Sequence, residues 1–245
     1  MGADMDTLAA LRVTAQVALA SVGTPRPSPR LGRFDVVSGG AVAQAALYAL
    51  ARIPEARGQA RVIEPEKSDL SNINRYAFLR RSSVGELKAE HLASLDLGGL
   101  RITGEPLRYE DRNLGRIGPL ASRVLVGVDH VPSRWAVQRA RPEWLGIGAT
   151  SETSVVVSYH SSGLPCARCL HPNGSRVREQ IPTAAFVSHW AGLWLASLFA
   201  RSVSGERLGA NDQLLYMATL RPDSVESIWK TAGARNTDCD LRCPL

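Results

Sequence analysis

Chemistry-bearing side chains are concentrated in one stretch, Arg61 to Tyr76, which reads R-V-I-E-P-E-K-S-D-L-S-N-I-N-R-Y. A short β-prone run, Val62 and Ile63, stops at two acids, Glu64 and Glu66, and the polar set Asp69, Ser71, Asn72, Asn74 and Arg75 follows at once. A carboxylate at the C-terminal end of a strand in an α/β sheet commonly takes the ribose hydroxyls of a nucleotide when a Gly-rich turn lies about 20 residues upstream. Glu64 stands in that place. A solvated loop accounts for any one of these residues alone, so the weight falls on what accompanies them.

Three further charges recur at loop or helix starts along the same edge: Arg75, Lys88 and Asp129. Nucleotidyl transfer needs such a set, with a carboxylate for magnesium, cations for the phosphates and an acid for the ribose. An NAD-dependent enzyme on a similar sheet could use Glu64 but has no need of Lys88 or Asp129.

The elements that would position these groups are legible around them. Phe34 to Val37 reads as a buried strand entering Ser38-Gly39-Gly40-Ala41-Val42-Ala43 and then a helix, Gln44 to Arg52. Small residues let the backbone approach a phosphate, and the free N–H groups of a helix start welcome its charge. Gly39 and Gly40 are the candidate phosphate turn, although the full pattern asks for Gly where Ser38 and Ala43 stand. Ala60 to Ile63, Leu100 to Thr103, Ser122 to Val128, Trp144 to Ala149 and Ser154 to Tyr159 read as strands. Val84 to Leu95, Val131 to Arg141 (carrying Arg134) and Pro182 to Arg201 read as helices. Strands alternating with helices predict a mainly parallel sheet with right-handed crossovers. Leu214 to Ala218 and Val225 to Lys230 read as a closing antiparallel pair. Before all this, residues 5 to 22 carry Leu8, Leu11, Ala15, Leu19 and Val22 at helical spacing. Thr24 to Arg33 holds three prolines and three arginines, so it reads as a linker with Arg26, Arg30 and Arg33 solvated.

Composition sets the outer bounds. The 245 residues suffice for one sizeable core, and 44% hydrophobic with 21% charged residues is ordinary for a globular chain. The net charge of +6 is carried by scattered Lys and Arg, so a polyanion such as ATP or an acidic protein explains it as well as nucleic acid would. No apolar run reaches the ~18 residues of a membrane helix and the N-terminus lacks a signal layout, which predicts a cytoplasmic protein. The four cysteines form two close pairs, Cys166/Cys169 and Cys239/Cys243, and in a reducing compartment such pairs favour metal over disulfides.

At this point the sequence resembles the ubiquitin-activating-like adenylating enzymes, which include the ThiF-type and MoeB-type enzymes that activate sulfur-carrier proteins. The resemblance rests on Glu64-Pro65-Glu66, Ser71-Asn72-Ile73-Asn74-Arg75-Tyr76, Gly85-Glu86-Leu87-Lys88, Asp129 to Arg134, Pro165 to Cys169 and Cys239 to Cys243, and spans residues 34 to 245. It implies a single adenylation domain over 34–245 behind an N-terminal helix and linker over 1–33. The fold implied is Rossmann-like α/β, a mainly parallel sheet with flanking helices and a C-terminal antiparallel extension clamped by zinc on Cys166, Cys169, Cys239 and Cys243. By position, Glu64, with Glu66 beside it, would bind the ribose. Asn72, Arg75 and Lys88 would contact the phosphates of ATP, and Asp129 would coordinate Mg²⁺.

The activity implied is ATP-dependent adenylylation of the C-terminal carboxylate of a ubiquitin-like or sulfur-carrier protein, or of a peptide, by a homodimer. A relative's arginine that reaches the neighbouring ATP would be Arg12 or a linker arginine. Where many relatives carry a catalytic cysteine, Leu170 to Ala185 has none, so the acyl adenylate is expected to pass directly to another protein. His171, two residues past Cys169, could replace a ligand, but a solvated loop residue is the favoured reading. The competing class is a non-catalytic, zinc-stabilised interaction module or inactive heterodimer subunit, which Ser38 and Ala43 favour.

Overall fold

Among the described residues, eight strands form one sheet in the order β3-β2-β1-β4-β5-β6-β7-β8. They are β1 (Arg30–Val37), β2 (Arg57–Ile63), β3 (Leu100–Glu105), β4 (Arg123–Val126), β5 (Trp144–Ser151), β6 (Ser154–Ser161), β7 (Leu214–Ala218) and β8 (Ile228–Thr231). The computed structural model describes residues 30–151, 153–171, 184–218, 228–236 and 239. The sheet is parallel from β3 through β5 and antiparallel from β5 to β8. This is the expected Rossmann-like α/β architecture with its antiparallel C-terminal extension. The chain order reverses beside β1, and ligands of such sheets bind in the crevice at the carboxyl ends there.

Both faces are buried, as the apolar run of β4 requires. Val36, Val62 and Leu125 point into one core with α1 (Ala41–Ala51), α2 (Lys88–Ala93) and α6 (Ala185–Val203). Val37, Ile63, Val124 and Val126 alternate to the other, packing with Ile117 of the one-turn α3 (Leu114–Ile117), Ala136 and Val137 of α4 (Val131–Arg139), and Ala167 of the one-turn α5 (Ala167–Leu170). No helix among the described residues is long and apolar enough to cross a membrane.

Helix α1 is held at unusually short range. A Cβ on Gly192 of α6 would lie 2.5 Å from Ala45 Cβ and 2.6 Å from the Val42 carbonyl oxygen. From the sheet side, one on Gly148 would lie 2.7 Å from Val42 Cγ1, and one on Gly127 would lie 3.2 Å from the Ala43 nitrogen. Small residues on three elements thus fix the helix whose first turn faces the crevice.

Several boundaries differ from the sequence reading. Strand β1 begins at Arg30, so the end of the expected linker is strand. Its prolines stop at residue 29, Leu31 is buried, and the chain pairs in parallel with β2 after a register shift at Gly32. The helix expected from Val84 is cut to Lys88–Ala93 because Gly85 takes a φ of +91° and Lys67 bridges Leu87. The expected N-terminal helix, Arg12 and Arg26, and Cys243 lie outside the described residues.

Candidate functional site

The turn after β1 starts from a strained residue. Ser38 has φ +148°, a region of backbone space that L-residues rarely enter, and its Oγ accepts a 2.9 Å hydrogen bond from Gly40 N–H. The position where the pattern asks for glycine has therefore kept a glycine-like backbone. Gly40 then caps α1 with extended dihedrals and no side-chain cap, so the first-turn N–H groups of Ala41, Val42 and Ala43 face the crevice end of the sheet.

Glu64, at the end of the neighbouring β2, is buried and closes this turn. Its Oε2 accepts from Gly39 N–H at 2.6 Å and its Oε1 from Glu66 N–H at 3.0 Å. Gly39 has no room for a side chain, since a Cβ there would meet Glu64 Cγ at 2.8 Å and Lys88 Cβ at 3.0 Å. Burial raises the Glu64 pKa above the usual carboxylate range, against the opposing pull of the Gly39 N–H and Lys88. Gln44, also buried, ties the same turn to the far side of the crevice. Its Nε2 donates to Gly39 O and its Oε1 accepts from Phe78 N–H.

Lys88 is the buried cation of the site, 5% exposed, and its Nζ donates to Glu66 Oε2 at 2.7 Å. Burial alone would lower its pKa, but the Glu66 hydrogen bond and the nearby Tyr76 and Glu64 outweigh that and raise it. The Nζ also lies 5.5 Å from the Tyr76 ring centre, and Arg75 Cζ lies 5.7 Å from the same ring. Tyr76 thus gathers both cations, and burial raises its own pKa. Lys88 is presented here because its N–H bonds Glu66 O while Ser68 and Gly85 bond one another's segments across the loop.

Asn72 is used structurally. Its Oδ1 accepts from Asp69 N–H while Asp69 Oδ1 accepts from Ser71 N–H, a capping box that folds the turn at Leu70–Asn72. That turn delivers Arg75, whose Nη1 donates to Ser71 O and Asn74 Oδ1. Asp129 is exposed just past β4, the strand beside β1. Arg134 lies behind it, buried, with Nε and Nη2 donating to Val128 O at 2.9 and 2.8 Å. Burial lowers the Arg134 pKa to about 10, offset in part by Asp129.

The structure thus brings Gly39, Gly40, Glu64, Glu66, Arg75 and Lys88 into one group on three segments, and sets Asp129 in the loop after β4. Sequence reasoning gave no role to Gln44 or Tyr76. Tyr76 had a signal, an aromatic directly after the arginine of the motif, whereas Gln44 had none because an amide on an apolar helix reads as a surface position.

The cysteines form a separate centre. Sγ of Cys166 lies 3.7 Å from that of Cys169 and 3.4 Å from that of Cys239, and all three fall within 4.8 Å of one another. Zn–S bonds of about 2.3 Å in a tetrahedron put sulfurs about 3.8 Å apart, so this knuckle fits a metal of that kind. His171 is not the solvated residue expected: it is 6% exposed, with Nε2 2.7 Å from Ser158 Oγ and Nδ1 3.3 Å from Arg134 Nη1. Burial, the charge of Arg134 and His160 hold its pKa well below the ordinary value, and burial lowers that of His160 to about 4.

No protein-family model matches the chain. The uncharacterized protein y4jF of Sinorhizobium fredii (strain NBRC 101917 / NGR234) is 32% identical over 153 residues, which are 61% of this chain and 30% of that protein. The chain therefore spans under a third of that relative's length. Among solved structures, E. coli MccB with AMPCPP and MccA is similar at TM-score 0.69 and 16% identity, over 85% of this chain and 66% of that one. E. coli MccB with ATP is similar at TM-score 0.66 and 16% identity, over 85% and 66%. The Microcin C7 biosynthetic enzyme MccB in complex with N-formylated MccA gives TM-score 0.66 and 15% identity, over 85% and 67%. The described chain has the fold of MccB, in agreement with the ThiF- and MoeB-type resemblance read from its motifs.

Proposed function

We propose that the chain is an adenylating enzyme that uses ATP to activate the C-terminal carboxylate of a peptide or of a ubiquitin-like or sulfur-carrier protein. The observation that carries this reading is the convergence of Lys88, Arg75 and the Gly39–Gly40 turn on one end of the sheet, around Glu64. The MccB structures with ATP, AMPCPP and MccA support a nucleotide and a peptide on this fold.

In the reaction a carboxylate oxygen attacks the α-phosphorus, the bond to the β-phosphate oxygen breaks, and pyrophosphate leaves an acyl adenylate. Two anions must meet, so Lys88 and Arg75 neutralise charge that grows in the transition state. The free N–H groups of α1 receive a phosphate. Glu64 accepts ribose hydroxyls on the lone pairs that Gly39 and Glu66 leave open, with Glu66 beside it; Asn72 holds Arg75 in register. Asp129 would hold Mg²⁺, which would neutralise phosphate charge. Zinc held by Cys166, Cys169 and Cys239, with Cys243 as the expected fourth thiolate, would be structural, because it would join the β6–α5 turn to the segment that carries Cys239. With every cysteine assigned to zinc, the acyl adenylate passes directly to a thiol or amine on another protein. A cytoplasmic homodimer completes the reading.

A second reading is favoured by Ser38, whose side chain sits where nucleotide turns have glycine. In it the chain keeps the carrier-binding surface or acts as an inactive heterodimer subunit, without turnover. ATP–pyrophosphate exchange with candidate peptides and carriers separates the two. Exchange that disappears in Asp129→Ala supports the enzyme. The absence of exchange with every candidate, together with no ATP binding by calorimetry, would establish the module.

A further inference from the structure

A line of buried polar side chains connects the cysteine knuckle to the start of α4. Arg134 Nη1 lies 3.3 Å from His171 Nδ1, and His171 Nε2 lies 2.7 Å from Ser158 Oγ. The same Oγ lies 3.0 Å from His160 Nε2, and His160 Nδ1 lies 2.8 Å from the carbonyl oxygen of Pro165. That carbonyl also accepts from Gln213 Nε2 at 2.9 Å and directly precedes Cys166. Ser158, His160 and His171 are all buried.

The two ends dictate every proton between them. A guanidinium only donates, so His171 Nδ1 is bare and its hydrogen sits on Nε2. A carbonyl only accepts, so His160 carries its hydrogen on Nδ1 and offers a bare Nε2. Ser158 must then accept from His171 and donate to His160. Each hydrogen bond points the same way, from the guanidinium to the knuckle, and aligned bonds of this kind reinforce one another in a low-dielectric interior.

At the other end, the guanidinium grips Val128 O with two donors, and Val128 immediately precedes Asp129. We infer that Ser158, His160 and His171 form a one-way hydrogen-bond relay that positions Arg134, so that closure of the cysteine knuckle and placement of the Val128–Asp129 loop are a single event. His171 and Ser158 are positioning residues and touch no substrate. The use of that loop to hold magnesium rests on the proposed function, whereas the relay does not.

The test is ¹⁵N-labelled, zinc-reconstituted protein of residues 1–245 studied by long-range ¹H–¹⁵N correlation at neutral pH. The expected result is a neutral Nδ1–H tautomer for His160 and a neutral Nε2–H tautomer for His171. Ser158→Ala leaves all four cysteines in place, and it is expected to mix the His171 tautomers and to shift the amide signals of Val128 and Asp129. Removing zinc with EDTA is expected to shift the same two amides. The opposite tautomer at either histidine overturns the relay without any variant being needed. So do Ser158→Ala shifts confined to the immediate neighbours of residue 158. If the tautomers and the amide coupling hold while pyrophosphate exchange is absent, the relay stands and the proposed function falls; the reverse result separates them equally well.

Discussion

Glu64 and Gly39 share a 2.6 Å hydrogen bond between a buried carboxylate and the backbone N–H of the turn after β1. The acid at the end of β2 therefore builds the glycine turn as well as facing it. Burial raises its folded-state pKa above its unfolded value, so the associated stability is complete below the unfolded value of about 4.3 and is lost as pH rises through the folded-state value. Glu64→Gln has no charge to gain and should lack this decline. Urea midpoints measured at a series of pH values check it, and identical pH profiles for the two proteins would refute it.

At Ser38 the usual preference between alanine and glycine should reverse. Both substitutions lose the Oγ bond to Gly40 N–H, but only alanine keeps a Cβ at φ +148°. Ser38→Gly should exceed Ser38→Ala in stability by about 1 kcal/mol, measured by urea unfolding. Tighter ATP binding by the glycine variant would further mark the turn as a phosphate cradle.

Asp35 and Arg61 stand opposite each other in register on β1 and β2, joined at 2.8 and 2.7 Å. Asp35 Oδ2 also accepts from Ala121 N–H, and Arg61 donates to Ile117 O and Pro119 O, so the pair holds the loop into β4. Asp35 is 2% exposed, whereas the Arg61 side chain retains 29%. Asp35→Ala should cost about 3 kcal/mol, near the lower end for breaking a buried pair, because Arg61 can rehydrate. A loss below about 1 kcal/mol would show that the pair contributes as little as a surface bridge.

Lys88 and its partner should part company when each is removed. Lys88→Met should lower ATP–pyrophosphate exchange by about 100-fold or more, as for loss of a group aimed at transition-state charge. Glu66→Gln keeps an amide oxygen for Lys88 Nζ but removes the charge beside a buried cation, so it should cost about 1–3 kcal/mol of stability. Comparable loss of exchange in both variants would give Glu66 a direct part in binding.

For the cysteine centre, protein purified without added metal should carry about one equivalent of zinc. Cys166→Ser should lose it and unfold at lower temperature. Metal well under one equivalent in the native chain would exclude the structural site.

The sheet was legible because its strands carry apolar runs such as Val124–Val126 and Val155–Val157, and a candidate site could be named because Glu64, Arg75, Lys88 and Asp129 are charges expected at loop or helix starts on one edge. What could not be read is where each polar atom spends its hydrogen bonds. Asn72 looks like a phosphate ligand in a motif, yet its Oδ1 closes a turn. His171, two residues beyond a metal-type cysteine, looks like loop, yet its partners Ser158 and Arg134 come from β6 and α4, which only the folded topology brings together. The early start of β1 was masked by its arginines, which are exposed while Leu31 between them is buried.

The clamping of α1 by Gly192, Gly148 and Gly127 also divides the molecule by timescale. A helix with backbone and methyl groups this close on both sides has no room to slide, so its amides should exchange with deuterium only through global unfolding. The segment from Glu66 to Leu87 is held by short turns, one β-bridge, the backbone bonds of Ser68 and Gly85 and the Gln44–Phe78 bond, and should open more often than α1. On the proposed function, nucleotide entry and release would be paced by that segment moving against a stationary helix end.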